Sequence, residues 1–139
     1  MASKAALELV VVGAHLRGGL LNHQLVDLGA KYVKTCRTAP VYKMFSLGPR
    51  PALIREQLDS SKGCGAVEVE IWEMPIERVG EFLRDGVKAP LALGDVLLDD
   101  GTHKKGFVGE SYGVVGAEDI TSTGGWRAYT KQKLAEEDT

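Results

Sequence analysis

The stretch of residues 7–19, LELVVVGAHLRGG, constrains the fold of this chain most strongly, because an apolar run leads directly into a glycine-rich turn. Residues 7–12 are all apolar except Glu8, and a short run rich in Leu and Val is typical of a strand buried on both faces. At Gly13 the run gives way to a loop that carries His15. We therefore predict a central strand that delivers His15 into a loop on a rigid scaffold.

Composition narrows the class of protein. A chain of 139 residues suits one domain over residues 1–139, and 44% hydrophobic and 26% charged residues are ordinary for a globular protein. The 17 Lys and Arg and the 19 Asp and Glu leave a net charge of −2, which creates no positive field for nucleic acid or anionic lipid. No apolar run suits a membrane span and no signal-peptide core is present, so we expect a cytoplasmic protein that does not bind membranes.

Periodicity in the first half of the chain predicts a short helix and three strands. Leu21, Leu25 and Leu28 would share one helical face, which indicates a helix over residues 22–28. The alternation of side chains predicts three strands, at residues 31–37, 41–47 and 52–56. The turn residues that follow predict a polar loop at residues 59–65.

The second half begins with the clearest alternation in the chain. Over residues 66–73 the two strand faces carry different side chains, namely Val67, Val69 and Ile71 on one and Glu68, Glu70 and Trp72 on the other. Pro75 then suits the start of a helix, and Gly86 suits its end. A last helix is expected to begin near Thr123 and to fray beyond Glu136.

The dipeptide Asp100-Gly101 separates two strand-like segments, residues 93–99 and 102–110. It predicts a hairpin in which both turn residues have positive φ. Strands outnumber helices without a regular βαβ alternation, so we predict the α+β class. We expect a small mixed, mostly antiparallel β-barrel, closed or half-closed, with two or three packed helices, because such a barrel removes exposed sheet edges and leaves a cavity at one end.

His15 is the strongest candidate for acid–base chemistry, since an imidazole with a pKa of about 6.5 exchanges a proton near neutral pH. His23 and His103 are expected at the surface. Neither the histidines nor Cys36 and Cys64 form a metal-ligand pattern, so we predict no metal and no cofactor. Both thiols are expected to be reduced, with Cys36 packed in a strand and Cys64 exposed.

Several ordered segments resemble the C-terminal domain of allophanate hydrolase. They read GAHLRGGLLNHQL, TCRTAPVYKMFSL, EVEIWEMP, GFVGESY and GAEDITSTGGWRAY, and they extend over residues 7–129. More distantly, the strand and glycine loop are similar to the γ-glutamylcyclotransferase-like superfamily, whose loop reads Tyr-Gly-Ser/Thr-Leu-Arg. Val12 stands in place of that Tyr, and His15 is an added residue. The resemblance implies the same kind of small barrel, with the His15 loop at its mouth.

The resemblance also implies an enzyme of urea and nitrogen metabolism. In allophanate hydrolases an amidase part cleaves allophanate, and the C-terminal part then promotes decarboxylation of N-carboxycarbamate. This chain contains no Gly-x-Ser-x-Gly and no amidase signature. We therefore expect N-carboxycarbamate or a similar small carboxylate as the ligand, a separately encoded amidase as a partner, and a homo-oligomer, expected to be a dimer.

In this interpretation His15 is the general acid and base. We expect the ligand oxygens to be held by the backbone N–H groups of Gly13, Ala14 and Leu16 and by the side chain of Asn22. Arg37 or Tyr42 would be the counter-group. A Cβ at Gly13 would weaken ligand binding with a modest loss of stability if the Gly13 amide meets the ligand. If Gly13 instead packs beneath the strand, a Cβ would destabilise the fold.

Glu70 is the second catalytic candidate. If its strand face points into a barrel, burial would raise the pKa of the carboxyl group; otherwise Glu70 belongs to an ordinary polar face. Two other functions stay open. One is γ-glutamylcyclotransferase-like activity, although the region where that family carries its catalytic Glu reads DGVKAPLALG and Glu70 or Glu110 would have to substitute. The other is a non-catalytic assembly module that docks a separate amidase.

Overall fold

The computed structural model describes residues 5–56 and 63–137, and its strands form two sheets. The strands in these residues are β1 (Ala6–Val11), β2 (Lys31–Arg37), β3 (Tyr42–Ser46), β4 (Pro51–Arg55), β5 (Glu68–Pro75), β6 (Leu91–Leu97), β7 (His103–Gly109) and β8 (Glu118–Asp119). The α-helices are α1 (His23–Val26), α2 (Val79–Gly86) and α3 (Trp126–Glu137). The predicted α+β class is confirmed.

β1 is the central strand of the larger sheet, whose order is β2-β5-β1-β7-β6. It runs antiparallel to β5 and parallel to β7, and the other pairs in this sheet are antiparallel. Leu9, Val10 and Val11 are at most 1% exposed, which confirms a strand buried on both faces. β7 approaches so closely that a Cβ on Gly106 would lie 2.6 Å from Val10 Cβ, so this pairing requires glycine.

The predicted closed barrel does not form. The smaller sheet, in the order β4-β3-β8, is separate, and the edge strands β2 and β6 of the larger sheet meet at one end through a bridge between Thr38 and Leu98. Just beyond that bridge Pro40 lacks the amide donor that a continuing ladder would need, and the chain turns away into β3. A register shift between Tyr32 and Lys34 interrupts the pairing of β2 with β5. Of the two expected alternatives, the fully closed barrel is therefore absent, and the mostly antiparallel pairing is confirmed.

The helices agree with the sequence pattern, and one of them is shorter than expected. A 3₁₀ turn at Ile76–Arg78 leads into α2, which buries Phe82. α1 has four residues instead of covering residues 22–28, because the chain around it forms turns and reaches Gly29, whose φ is 85°. α3 follows the left-handed Gly124 and buries two aromatic side chains at its start.

The hairpin of β6 and β7 is present, but its turn differs from the predicted type. Leu97 pairs with His103, and Gly101 has a φ of 87°, whereas none of the non-glycine residues that the structure describes has a positive φ. The carboxylate of Asp100 accepts hydrogen bonds from the backbone N–H and the hydroxyl group of Thr102, at 2.9 and 2.7 Å. This side-chain turn keeps Asp100 at negative φ, so a single left-handed glycine completes the loop.

Burial tests several further predictions. His23 and His103 are exposed and Cys36 packs, half-buried, against the core, all as predicted. Cys64 is half-buried rather than exposed, because a bridge from the neighbouring Gly65 to β3 holds its segment in place. The predicted polar loop at residues 59–65 lies largely outside the described residues. In the described part of the chain, no helix is long and apolar enough to cross a membrane.

Candidate functional site

The loop after β1 is held by hydrogen bonds of its own. The Leu16 N–H donates to the Gly13 carbonyl at 2.9 Å, and the Asn22 side-chain amide donates to the His15 carbonyl at 2.8 Å. Both groups were expected to hold ligand oxygens, and the structure instead commits them to the shape of the loop. By contrast, the N–H groups of Ala14 and His15 have no acceptor among the described residues. These two amides can therefore donate to a ligand.

A small cavity of about 20 Å³ lies beside His15, and we call it the His15 cavity. The structure brings Gly13, Ala14 and His15 together in its lining, where they meet Arg50 and Phe107. Its volume accommodates about one water molecule, or one oxygen atom of a ligand whose remainder lies outside the cavity. Among the described residues, no Asp or Glu lines this cavity.

The His15 ring is held by two aromatic rings and one amide. The ring is stacked with Phe107, with centroids 5.1 Å apart at 8°, and meets Phe82 edge-on at 5.1 Å. Its Nε2 lies 2.7 Å from Gln24 Oε1. The Gln24 side-chain N–H donates to the Asp85 carbonyl oxygen at 3.4 Å, and a carbonyl oxygen can only accept a hydrogen bond. The Gln24 Oε1 is therefore the atom that faces the imidazole. His15 Nε2 therefore carries the hydrogen, and Nδ1 presents a lone pair.

Burial is the largest influence on His15, and it lowers the pKa of the imidazole below the ordinary value of 6.5. The Gln24 hydrogen bond acts in the opposite direction, while the charges of His23 and Arg50 lower the pKa further. His15 is consequently neutral at pH 7. Its Nδ1 has no hydrogen-bond partner among the described residues and is not sealed off from space, so it is free to exchange a proton with a ligand.

Glu70 is fully buried, but it does not line the His15 cavity. Its carboxylate accepts hydrogen bonds from the Arg17 backbone N–H at 2.9 Å and from the Trp72 indole and the Arg17 and Arg127 guanidinium groups, each at 3.1 Å. Burial alone would raise the pKa of Glu70, but these four donors together hold it below the ordinary value of 4.5. The rise that burial alone would cause therefore does not occur, because the donors outweigh the loss of hydration.

Glu70, Arg17 and Arg127, which we call the Glu70 cluster, join the loop to β5 and α3. Arg127 also donates to the Arg17 carbonyl at 2.9 Å and to Glu68 at 3.1 Å. The Arg17 guanidinium lies 3.8 Å above the centre of the Tyr32 ring, in a favourable cation–π geometry. The cluster thus fixes the position of the loop that carries His15.

The two predicted counter-groups lie away from the His15 cavity. Arg37 is exposed and donates to the Ala66 carbonyl at 3.5 Å, while the fully buried Tyr42 hydroxyl accepts the Leu97 N–H at 2.9 Å. The cation that does line the cavity is Arg50, which the sequence reasoning overlooked. The available signal was its place in Gly-Pro-Arg-Pro, because two flanking prolines hold an arginine on a stiff turn.

A larger groove of about 350 Å³ lies between the loop and α3 and shares Gly13 and Ala14 with the His15 cavity. We call it the loop–α3 groove. Leu20 and Leu134 line it and are 83% and 62% exposed. Within residues 5–56 and 63–137, no three His, Cys, Asp or Glu side chains are placed to hold a metal ion together.

The order of the glycine loop, the buried strand and the C-terminal helix agrees with one known family. A model of the allophanate hydrolase C-terminal domain matches residues 7–131. The chain belongs to this family. The urea amidolyase of Saccharomyces cerevisiae is 40% identical to this allophanate hydrolase C-terminal domain in an alignment of 131 residues that covers 89% of this chain and 7% of the yeast protein.

Solved structures agree with this membership. The allophanate hydrolase of Kluyveromyces lactis superposes with a TM-score of 0.84 and 34% identity, covering 91% of this chain and 21% of that one. A protein specific to uropathogenic E. coli gives a TM-score of 0.83 and 32% identity, covering 91% of this chain and 96% of that one. A γ-glutamyl cyclotransferase, at a TM-score of 0.53 and 13% identity over 82% of this chain and 69% of that one, shares the fold alone. The chain thus spans a small part of the yeast proteins that it resembles.

Proposed function

We propose that this allophanate hydrolase C-terminal domain acts on N-carboxycarbamate or a similar small carboxylate, with His15 as the general acid and base. The observation that carries the proposal is the buried, neutral imidazole of His15, which lines a small cavity that no described carboxylate lines and whose Nδ1 has no partner among the described residues. The Gln24 contact sets this tautomer. A proton-transfer group of this kind needs a fixed orientation, which the stacked Phe107 ring and the edge-on Phe82 ring also supply.

Backbone donors of the loop would hold the ligand. The N–H groups of Ala14 and His15 lack acceptors among the described residues and belong to residues that line the cavity. Fixed N–H donors stabilise negative charge on oxygen without reorganising during the reaction. A ligand carboxylate beside these amides would place its neighbouring nitrogen near the imidazole.

The proposed step is decarboxylation of the dianion. The bond between the nitrogen and one carboxylate carbon breaks, and the bonding pair stays on nitrogen while CO₂ leaves. The nitrogen then takes one proton, which yields carbamate. Protonated His15 would supply that proton from Nδ1 and regain it from water.

The neutral resting state of the His15 imidazole suits this step, because binding of the ligand changes the protonation of the ring. Two negative charges beside the ring favour its charged form and raise the pKa of His15. Binding of the dianion would therefore be accompanied by proton uptake. Loss of neutral CO₂ moves one negative charge onto the nitrogen, which becomes strongly basic and favours transfer of the proton from the ring to that nitrogen.

The proposal is tested by the rate at which N-carboxycarbamate disappears when a separately purified amidase produces it from allophanate. We expect the wild-type protein to release CO₂ faster than the uncatalysed background, and His15→Ala to lose about a hundredfold or more of that catalysed rate. His103→Ala is the matched control, since His103 is exposed, and it should keep the wild-type rate. Equal rates for wild type and His15→Ala would refute the catalytic role.

A second candidate function is docking to a separate amidase. It is favoured by the two exposed leucines of the loop–α3 groove, Leu20 and Leu134, and by the match to a small part of a larger urea amidolyase. Light scattering after size-exclusion chromatography of the protein mixed with an amidase encoded beside it would measure the complex. Leu20→Asp should abolish the complex, and the proposal fails if the wild-type protein elutes separately from the amidase.

Cyclotransferase activity has less support. Neither Glu70 nor Glu110 lines the His15 cavity, and the Glu70 carboxylate is already engaged by four donors. A carboxylate base for that reaction is therefore missing from the cavity lining among the described residues. We do not propose this activity.

A further inference from the structure

Arg50 differs from most other arginines of the described chain, because its guanidinium has no partner there. Arg17, Arg78, Arg84 and Arg127 each form an ion pair with a carboxylate. Arg50 is half-buried, and in residues 5–56 and 63–137 its side chain makes neither an ion pair nor a hydrogen bond. A cation that has lost part of its hydration without gaining a partner is unfavourable unless a ligand supplies the counter-charge.

The backbone that carries Arg50 is rigid and is joined to the His15 loop. Pro49 and Pro51 flank it, and its carbonyl accepts the Leu47 N–H at 2.8 Å. The Pro51 ring packs against Gly13 so closely that a Cβ on Gly13 would overlap it. The rigid turn therefore fixes the point from which the Arg50 side chain extends beside the His15 loop, which reduces the backbone part of the entropic cost of binding an anion.

The surroundings of Arg50 select for a small anion. The cavity that it shares with His15 has a volume of about 20 Å³, and no carboxylate among the described residues lines it. Arg50 interacts electrostatically with the imidazole, since its charge is one of the causes that lower the pKa of His15. One carboxylate oxygen fits the volume, and a planar carboxylate fits the bidentate geometry of a guanidinium.

We propose that Arg50 binds a carboxylate of the ligand and thereby restricts the His15 cavity to small carboxylates and carbamates. This inference rests on the proposed function for where the ligand binds, but it concerns the binding of the ligand and not its conversion. The two negative charges of a dianion would be met by Arg50 and by the Ala14 and His15 amides, which belong to residues that line the same cavity.

Titration calorimetry with malonate tests the proposal, because malonate replaces the nitrogen of N-carboxycarbamate by a stable CH₂ group. We expect saturable binding to the wild-type protein, and about tenfold to hundredfold weaker binding to Arg50→Gln, as for the loss of a hydrogen-bonded charge. Arg37→Gln is the matched control: it makes the same change at an arginine outside the cavity and should bind malonate like the wild type. Neutral malonamide should not compete.

Several outcomes would overturn the proposal. They are unchanged affinity in Arg50→Gln, an equal loss in Arg37→Gln, no saturable binding of malonate in the millimolar range, or tighter binding of inorganic phosphate than of malonate. If Arg50→Gln melts early, Arg50→Lys, which keeps the charge, must bind malonate better than Arg50→Gln does. Malonate binding that depends on Arg50 in a protein that does not accelerate decarboxylation would support this inference and reject the proposed reaction.

Discussion

Gln24 controls both the tautomer and the pKa of His15, although it was not among the predicted site residues. Its Oε1 accepts the Nε2 hydrogen at 2.7 Å, and its amide N–H faces the Asp85 carbonyl at the end of α2. The glutamine thus links the imidazole to a neighbouring helix. A partner of this kind sets which nitrogen of a histidine is available for chemistry.

We predict that Gln24→Leu lowers the pKa of His15 further. The Gln24 hydrogen bond favours the protonated ring, and its loss leaves the effect of burial unopposed. A pH titration of the imidazole signals by NMR measures the change, with the exposed Gln132→Leu as the control for the same substitution. A pKa that stays at the wild-type value in Gln24→Leu would contradict this prediction.

Gly13 illustrates how the same residue can be explained in two ways until its surroundings are known. Its φ is not positive, and the space that a Cβ would need is occupied by the Pro51 ring. The packing alternative is thus the one that the geometry supports. A larger residue at position 13 would displace β4 and with it Arg50, so binding and stability would change together.

At the scale of elements, the loop, β5 and α3 are held together by one buried carboxylate. Glu70 is fully buried in β5, whereas its partners Arg17 and Arg127 are 52% and 43% exposed. Exposed parts of the arginines can be solvated by water, but the Trp72 indole and the Arg17 backbone N–H depend on Glu70 as their acceptor. The Glu70 carboxylate therefore stabilises the fold by accepting these hydrogen bonds, which the Glu68 carboxylate does not do.

We predict that Glu70→Ala lowers the free energy of unfolding by about 2–4 kcal/mol, because the buried Trp72 indole and the part-buried Arg17 backbone N–H lose their acceptor. Glu68→Ala is the matched control on the same strand face, since it breaks a half-exposed ion pair worth less than about 1 kcal/mol. Urea denaturation of both variants measures the difference. Equal losses in the two variants would show that burial of Glu70 does not matter.

At the scale of the whole molecule, two buried groups make the stability depend on pH in the acidic range. The folded state lowers the pKa of His15 below 6.5, so the unfolded chain binds the proton first as the pH falls through that value. The folded state also lowers the pKa of Glu70 below 4.5, so its contribution is present above that value and is lost as the pH falls through the lower, folded pKa. Both groups therefore destabilise the fold on acidification.

We predict two successive losses of stability on acidification, the first beginning near pH 6.5 and the second below pH 4.5. Free energies of unfolding from urea titrations at a series of pH values would show them. His15→Gln should remove the first loss and leave the second, while Glu70→Gln should do the reverse. Identical pH profiles for His15→Gln and the wild type would contradict the assignment of the first loss.

The sequence by itself determined the elements whose signal is local. The apolar run before Gly13 predicted the central strand, the alternation at residues 66–73 predicted β5, and Asp100-Gly101 predicted the hairpin. Family membership and the loop position of His15 also followed from short motifs in chain order. These features depend on neighbours along the chain, which periodicity and turn chemistry record.

Only the tertiary structure decided what surrounds the site. Arg17 and Arg127 are 110 residues apart, and their meeting at Glu70 reversed the expected direction of its pKa shift. The open end between β2 and β6, the partners of His15 and the place of Arg50 beside it are likewise contacts between distant segments. Electrostatics and packing act through space, so a sequence pattern that records local spacing does not contain them.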